Sequence, residues 1–246
     1  MVEPREAAGR VEVAAELPPG DDERFAGYGV MGQPFTSGHV LGLRRFPASS
    51  VGPGYTSVWH RRADGHWTFY QDAEPSQACT RYFGSDVNRT VRARVDIDWP
   101  GPRQLRVRVV DGGLEWTADL APTPVTRLMN TVGSAMPARW WRNPRVLALM
   151  SRMASTALRL GRVRLAGVSS NGQRFVANPR VMWRISDTRA SVGGEDLGRP
   201  GPLGDQARLG DFWIPQRGMF VVGDAFFEPF DPARHAVAAP TDRGAP

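Results

Sequence analysis

The sequence predicts a mainly β protein, an antiparallel barrel or two β halves, with a helical insertion at about 124–160. Three observations predict it. Three successive stretches alternate apolar and charged residues with a period of two, turn residues separate them, and a middle segment switches to a helical period. In 88–99, Val91, Ala93, Val95 and Ile97 oppose Arg92, Arg94, Asp96 and Asp98. In 103–111, Leu105, Val107 and Val109 oppose Arg106 and Arg108, and in 113–121, Leu114, Trp116, Ala118 and Leu120 oppose Glu115, Thr117 and Asp119. Charged outer faces argue an antiparallel meander with one buried side.

The elements follow in order. Residues 1–24 read as a disordered acidic lead without the basic and apolar regions of a secretory signal. A first β half spans 25–122, with strands at 37–46, 55–63, 66–72, 79–84 and the three above. The insertion covers 123–161: a short helix at 124–135, then one from Pro144 to about 160, stopped by Gly161. In the second helix Arg145, Arg152 and Arg159 form one stripe, opposite Val146, Leu147, Met150, Met153, Ala154, Ala157, Leu158 and Leu160. A second β half spans 162–231, with strands at 163–168, 174–177, 180–186, 189–194 and two within 211–230; 232–246 reads as a disordered tail.

Composition removes chemistry. The net charge is +6, yet all 31 basic residues are arginine. Without lysine there is no Schiff-base enzyme, no pyridoxal-phosphate site and no phosphate-loop lysine. One cysteine, Cys79, permits no internal disulfide and no thiolate cluster, and it reads as a small buried apolar residue. The histidines His39, His60, His66 and His235 have no metal-ligand spacing, so no metal and no cofactor are expected. Mean hydropathy is −0.36, and no apolar run approaches the ~18 residues of a membrane span, so a cytoplasmic protein is expected. From Pro124 to Ser186 there are 11 arginines and no acidic residue. No nucleic-acid motif accompanies them, and nucleic acid is not an expected partner. A peripheral membrane contact through 124–160 suits an arginine-lined apolar helix better.

The stretch GYTSVWHRRADGHWTFYQD (54–72) carries the candidate chemistry. Asp64-Gly65 predicts a two-residue hairpin turn. That register pairs Trp59 with Tyr70 and Ser57 with Asp72, placing these four on one face, with Val58, His60 and Phe69 on the other. If the first face lines a cavity, Trp59 and Tyr70 form its wall, Ser57 a ligand contact, and Asp72 a carboxylic acid whose pKa burial raises. If the second face lines it, His60 is the base. A satisfied structural role outweighs the catalytic one for both Asp72 and His60. A second candidate is Asp211, Trp213, Gln216 and Arg217, which could orient the polar group of a ligand; a turn held by an Asp–Arg pair explains the same residues.

The stretches LGLRRFPASS, YTSVWHRRADGHWTFY, VRLAGVSSNGQRFVANPRVMW and QARLGDFWIPQRGMFVVGDAFFEPFD resemble an uncharacterised family of actinobacterial proteins. More distantly, two β blocks with Trp-rich hairpins resemble the calycin, or lipocalin-like, folds, which include carotenoid hydratase-like proteins and natural-product cyclases. That resemblance implies a barrel around a hydrophobic small molecule of polyene, terpenoid or polyketide type. The expected function is cofactor-independent, acid/base-assisted hydration, isomerisation or cyclisation; the alternative is a non-catalytic carrier of a similar ligand. A carboxylate or histidine inside the cavity separates the two.

Overall fold

The computed structural model describes residues 2–137, 140–141 and 143–237. Helix α1 (Pro4–Ala14) opens the chain, followed by β1 (Glu23–Pro34), β2 (Val40–Ser49), β3 (Tyr55–Arg61) and β4 (Trp67–Gln71). A short helix α2 (Thr80–Phe83) precedes β5 (Arg89–Arg92), β6 (Val95–Gly101), β7 (Gln104–Val109) and β8 (Leu114–Ala121). Then come α3 (Pro124–Ala135), α4 (Pro144–Ala157), β9 (Ala166–Val168), β10 (Arg174–Val192) and β11 (Glu195–Asp196). The last strands are β12 (Arg208–Leu209), β13 (Phe212–Trp213) and β14 (Met219–Phe227).

One sheet has the order β5-β4-β3-β2-β1-β14-β10-β8-β7-β6, with β9 and β11 added to β10. The two expected β blocks share this sheet, because β14 lies between β1 and β10, and β10 pairs with β8. The sheet is mixed rather than antiparallel throughout: β4 and β5 run parallel. These two edges fix its shape. β5 and β6 stand at opposite ends of the order, yet only Ala93 and Arg94 separate them in the chain. The Ala93 N–H donates to the Gln71 carbonyl beside one edge, and the Arg94 carbonyl accepts from the Val110 N–H beside the other. The three Cα–Cα steps from Arg92 to Val95 span ~11 Å at most, so the edges come together there and the sheet curls into a barrel-like wall. The predicted strand 88–99 is therefore two strands, although Val91, Ala93, Val95 and Ile97 do share one face, all in or against the inner core.

Strands from both edges contribute to that core, so it is the inside of the curl. It is filled with side chains, among them Tyr28, Leu43, Val58, Trp116, Trp183 and Phe220. The lead expected to be disordered packs here instead. Pro4 starts α1, Ala7 and Ala8 are buried, and Glu12 accepts from the Tyr28 hydroxyl at 2.8 Å while pairing with Arg45 at 2.8 Å. Small residues on one helical face let α1 approach closely, which a charge count over the lead does not register. Two opposed glycines, Gly27 and Gly223, sit where the pairing slips its register; a β-carbon on either would lie 2.0 Å from a backbone carbonyl oxygen. The predicted strands 174–177, 180–186 and 189–194 are one 19-residue strand, β10, in which Pro179 is accommodated at a bulge.

The outer face is apolar too, along β1 to β4, β10 and β14, and it carries a second, aromatic core with Phe25, Tyr55, Trp59, Phe69 and Phe227. The segment 79–84, expected as a strand, is the helical turn α2 within this layer. Tyr82 and Phe83 are adjacent and both join the core; a strand would send them to opposite sides. The insertion contains the two helices, but the second ends at Ala157 rather than near 160: the Thr123 side chain caps α3, the Asn143 side chain caps α4, and the chain leaves α4 through Arg159 at φ +53°, two residues before Gly161 at φ +72°. The Asn130 side chain both donates to and accepts from the Met182 backbone, fixing α3 to β10. Residues 232–237, expected within a disordered tail, hold a buried His235 whose Nδ1 accepts from the Asp231 N–H. The rest of that expected tail, 238–246, lies outside the described residues, as do 138–139 and 142 of the insertion.

The hairpin of β3 and β4 has a different register from the predicted one. Ser57 pairs with Gln71, Val58 with Tyr70, Trp59 with Phe69 and His60 with Thr68. The Arg62 N–H donates to the His66 carbonyl and the Gly65 N–H to the Arg62 carbonyl, leaving Ala63, Asp64 and Gly65 in the loop, with Gly65 at φ +95°. A three-residue loop with a left-handed glycine shifts the second strand by one residue, and a shift of one exchanges its faces. Tyr70 and Asp72 are therefore not on the face of Ser57 and Trp59. Both faces carry aromatics because both are buried, Val58 and Tyr70 against the inner core and Trp59, Trp67 and Phe69 in the outer one.

His60 is buried, with its Nε2 2.9 Å from His39 Nδ1 and the two rings stacked. Burial first, then the neighbouring His39 and Arg62, push its pKa down to about 4. As pH falls from 6.5 towards 4 the unfolded chain takes up this proton and the folded one does not, so stability falls with pH across that window. The expected loss is about 3 kcal/mol. Denaturant unfolding at pH 7 and pH 4.5 should show a shallower loss for His60→Gln than for the wild type; equal slopes would remove His60 as the cause.

Candidate active site: a cavity under the outer cover

The outer aromatic face needs a lid, and several short elements supply it. Tyr82 and Phe83 come from α2, Phe212 and Trp213 from β13, and Leu158 and Leu160 from α4 and the turn after it. A network anchors α2: Glu23 accepts from Arg81 at 2.6 Å, from the Tyr82 hydroxyl at 2.5 Å and from Gln173 at 3.2 Å. Burial alone would raise the Glu23 pKa, but these donors override it and hold the carboxylate below its usual range. Between sheet and cover lies a cavity of about 140 Å³, walled mainly by aromatic and aliphatic side chains. The inside of the barrel, where a lipocalin-like fold would hold a ligand, is packed instead.

Arg44 is a charged group of its lining, and it is buried. In VLGLRRFPAS, Leu41 and Leu43 face the inner core, so strand alternation sends Arg45 inward to Glu12 and Arg44 outward under the cover. Only 5% of Arg44 is exposed. The register of β1 and β2 slips between Val30 and Gln33, setting Met31 and Gly32 opposite Gly42. Arg44 donates to the Val30, Leu43 and Met31 carbonyls at 2.6, 2.8 and 3.3 Å. Its guanidinium carbon stands 4.3 Å from the Trp59 ring centroid and 5.2 Å from that of Phe212. Burial pushes its pKa down to about 10, which leaves it protonated at neutral pH.

Beside Arg44 the Cys79 thiol is 3.3 Å from the Tyr55 hydroxyl. Burial pushes the thiol up, against the pull of Tyr55, Arg44, Trp59 and Ser57, and raises Tyr55 well above its usual value. Both are neutral at physiological pH. The Trp59 Nε1 and Ser57 Oγ are buried with no nitrogen or oxygen partner and face only the weakly accepting Cys79 sulfur.

Of the residues singled out in the sequence, Trp59 and Trp213 line the cavity, and Ser57 lies just below it beside Cys79. Asp72 is exposed and caps Thr56, accepting from its N–H at 2.7 Å. Tyr70 faces the inner core, and His60 pairs with His39, so neither borders the cavity. Asp211 pairs with Arg164 at 2.7 Å and accepts from the Val168 N–H, which is a loop-holding role. Gln216 latches Leu203 through two hydrogen bonds, and Arg217 does not border the cavity. Among the described residues no three His, Cys, Asp or Glu side chains are grouped to hold a metal. Sequence reasoning missed Arg44 and Tyr55. The available signal was the adjacent arginine pair in an otherwise apolar strand, since a strand buried on both faces must bury one of the two.

No protein-family model matches the chain, and no curated protein matches it. Among solved structures, an acetoacetate decarboxylase from Legionella pneumophila is similar with a TM-score of 0.39 and 10% identity, over 92% of this chain and 90% of that one.

Proposed function

We infer that the protein binds a hydrophobic small molecule, of polyene, terpenoid or polyketide type, in the cavity under the outer cover. The observation that carries this reading is the aromatic and aliphatic wall around the buried Arg44. A cavity of about 140 Å³ is close to the ~150 Å³ that accommodates a benzene-sized molecule. A longer ligand therefore enters only if the cover shifts, and α4 is the element placed to do so: Ala154 and Leu158 line the cavity, while Leu149 and Met153 on the same helix face solvent. Intrinsic fluorescence should fall as a neutral polyene such as retinol is titrated in, because Trp59 and Trp213 line the site. Ala154→Trp, which fills the space from α4, should weaken binding by about tenfold or more. No quenching in the wild type would end this reading.

Carrying or sequestering the ligand fits the cavity better than acid/base turnover, because Asp72 and His60 stand away from it. A catalytic reading keeps one observation. Asp224 borders the cavity, its pKa raised by burial against the pull of Arg180 at 2.7 Å, and its cross-strand neighbour Asn178 has a buried Oδ1 without a partner. If bound ligand is recovered chemically altered, Asp224→Asn should abolish the change with little effect on binding; turnover undiminished in that variant would exclude Asp224 as the acid.

The outer side of α3 and α4 supports delivery from an anionic membrane surface. Leu128 and Leu149 are 61% and 60% exposed, with Val132 and Met153 nearby in sequence, and Arg127, Arg145 and Arg152 are exposed on the same two helices. Among the described residues no helix is long and apolar enough to cross a membrane. Flotation with phosphatidylserine vesicles should carry the protein at low salt and lose it at high salt; flotation equal with neutral vesicles, or none, would exclude this route.

A further inference from the structure

We propose that the cavity's ligand is a hydrophobic monocarboxylate, its tail among Phe175, Phe227 and Leu158 and its carboxylate on Arg44 beside Trp59. This rests on the reading of the cavity as a hydrophobic-ligand site and names the ligand's polar end.

Arg44 carries a full positive charge where water does not reach. Taking such a charge out of water costs several kcal/mol unless an anion accompanies it. Among the described residues no carboxylate lies within ion-pair distance of Arg44, and its nearest acidic groups are the Cys79 thiol and Tyr55 hydroxyl, both neutral. The three carbonyls that it satisfies do not call for a charge, since a neutral amide would satisfy carbonyls without the desolvation of an ion. They do hold the guanidinium in place. Three of its five N–H donors are used in this way, and the others have no acceptor among the described residues.

Beside Arg44 a further donor is poorly satisfied: the indole N–H of Trp59, whose ring lines the cavity, finds no nitrogen or oxygen acceptor and faces only the weakly accepting Cys79 sulfur, as does the Ser57 hydroxyl behind it. Trp59 and Phe212 pack against the guanidinium and limit its movement. A pre-positioned fork with free N–H groups matches a carboxylate, which is planar and accepts two parallel bonds. One negative charge neutralises Arg44; a phosphate dianion would leave an excess charge buried in an apolar wall. The remaining lining is mainly apolar and aromatic; its other charged groups, Arg164 and Asp224, are paired with Asp211 and Arg180, and Asn178 alone keeps a free buried Oδ1, so most of the ligand is hydrocarbon.

The test uses the full chain and matched pairs differing only at the polar end: decanoic acid and methyl decanoate, by isothermal titration at pH 7.5. The acid is expected to bind about tenfold or more tightly than the ester. In Arg44→Gln, which keeps donors for the carbonyls and loses the charge, that preference should shrink to about twofold with ester affinity little changed. Equal affinity for acid and ester in the wild type overturns the proposal and leaves the hydrophobic-ligand reading standing. A preference for the acid that persists in folded Arg44→Gln overturns it as well. Binding of neither compound overturns both. If Arg44→Gln does not fold, the acid–ester comparison on the wild type decides.

Discussion

The structure depends on one short connection. β5 and β6 belong to opposite edges of the sheet order and are joined by Ala93 and Arg94 alone. A flat sheet of ten strands would set its edges ~40 Å or more apart at the ordinary strand spacing, so this connection exists only if the sheet curls on itself. Opposed glycines and bulges in β1, β2 and β10 let the backbone bend that sharply. The curl then gives the sheet an inside small enough for Tyr28, Trp116, Trp183 and Phe220 to fill. With the inside filled, the apolar cavity lies on the outer face.

The outer face explains the rest of the chain. An aromatic layer of this breadth cannot be left in water, and the elements between and after the strands roof it: α2, the β12–β13 hairpin and the α3–α4 pair. A roof assembled from short pieces fits less tightly than a second sheet, and the cavity is the space it leaves. The same bulge that bends β1 past Gly42 exposes carbonyls that Arg44 takes up, so the sheet's curvature and the buried charge have a common origin. In the proposed function the roof admits the hydrophobic part of a ligand and Arg44 fixes its acidic end.

Much of the β architecture was legible in the residues. The alternation of Val91 to Ile97, Leu105 to Val109 and Leu114 to Leu120 names the inner face correctly even where the strand breaks, because side-chain parity survives a change of partner strand. Pro124 and Pro144 mark the starts of the helices that form there, while Gly161 lies four residues past the end of α4, whose left-handed exit is taken by Arg159. The hairpin was misread by one residue, since Asp64-Gly65 serves a two-residue and a three-residue loop equally well. That single step moved Tyr70 and Asp72 to the opposite face and took the acid/base candidate away from Trp59.

What the sequence determined by itself was local: which residues alternate, where helices start and stop, that no lysine or thiol cluster is available, and that two adjacent arginines sit in an apolar strand. Period, propensity and inventory are properties of neighbours along the chain, so they are fixed before the chain folds. Only the tertiary structure decided which strands stand side by side, that α1 packs on the barrel, that the cavity lies outside it, and that Arg44 rather than Arg45 is left without a carboxylate. Those outcomes depend on pairings between residues far apart in sequence, such as β1 with β14, and on which of two buried faces receives a cover.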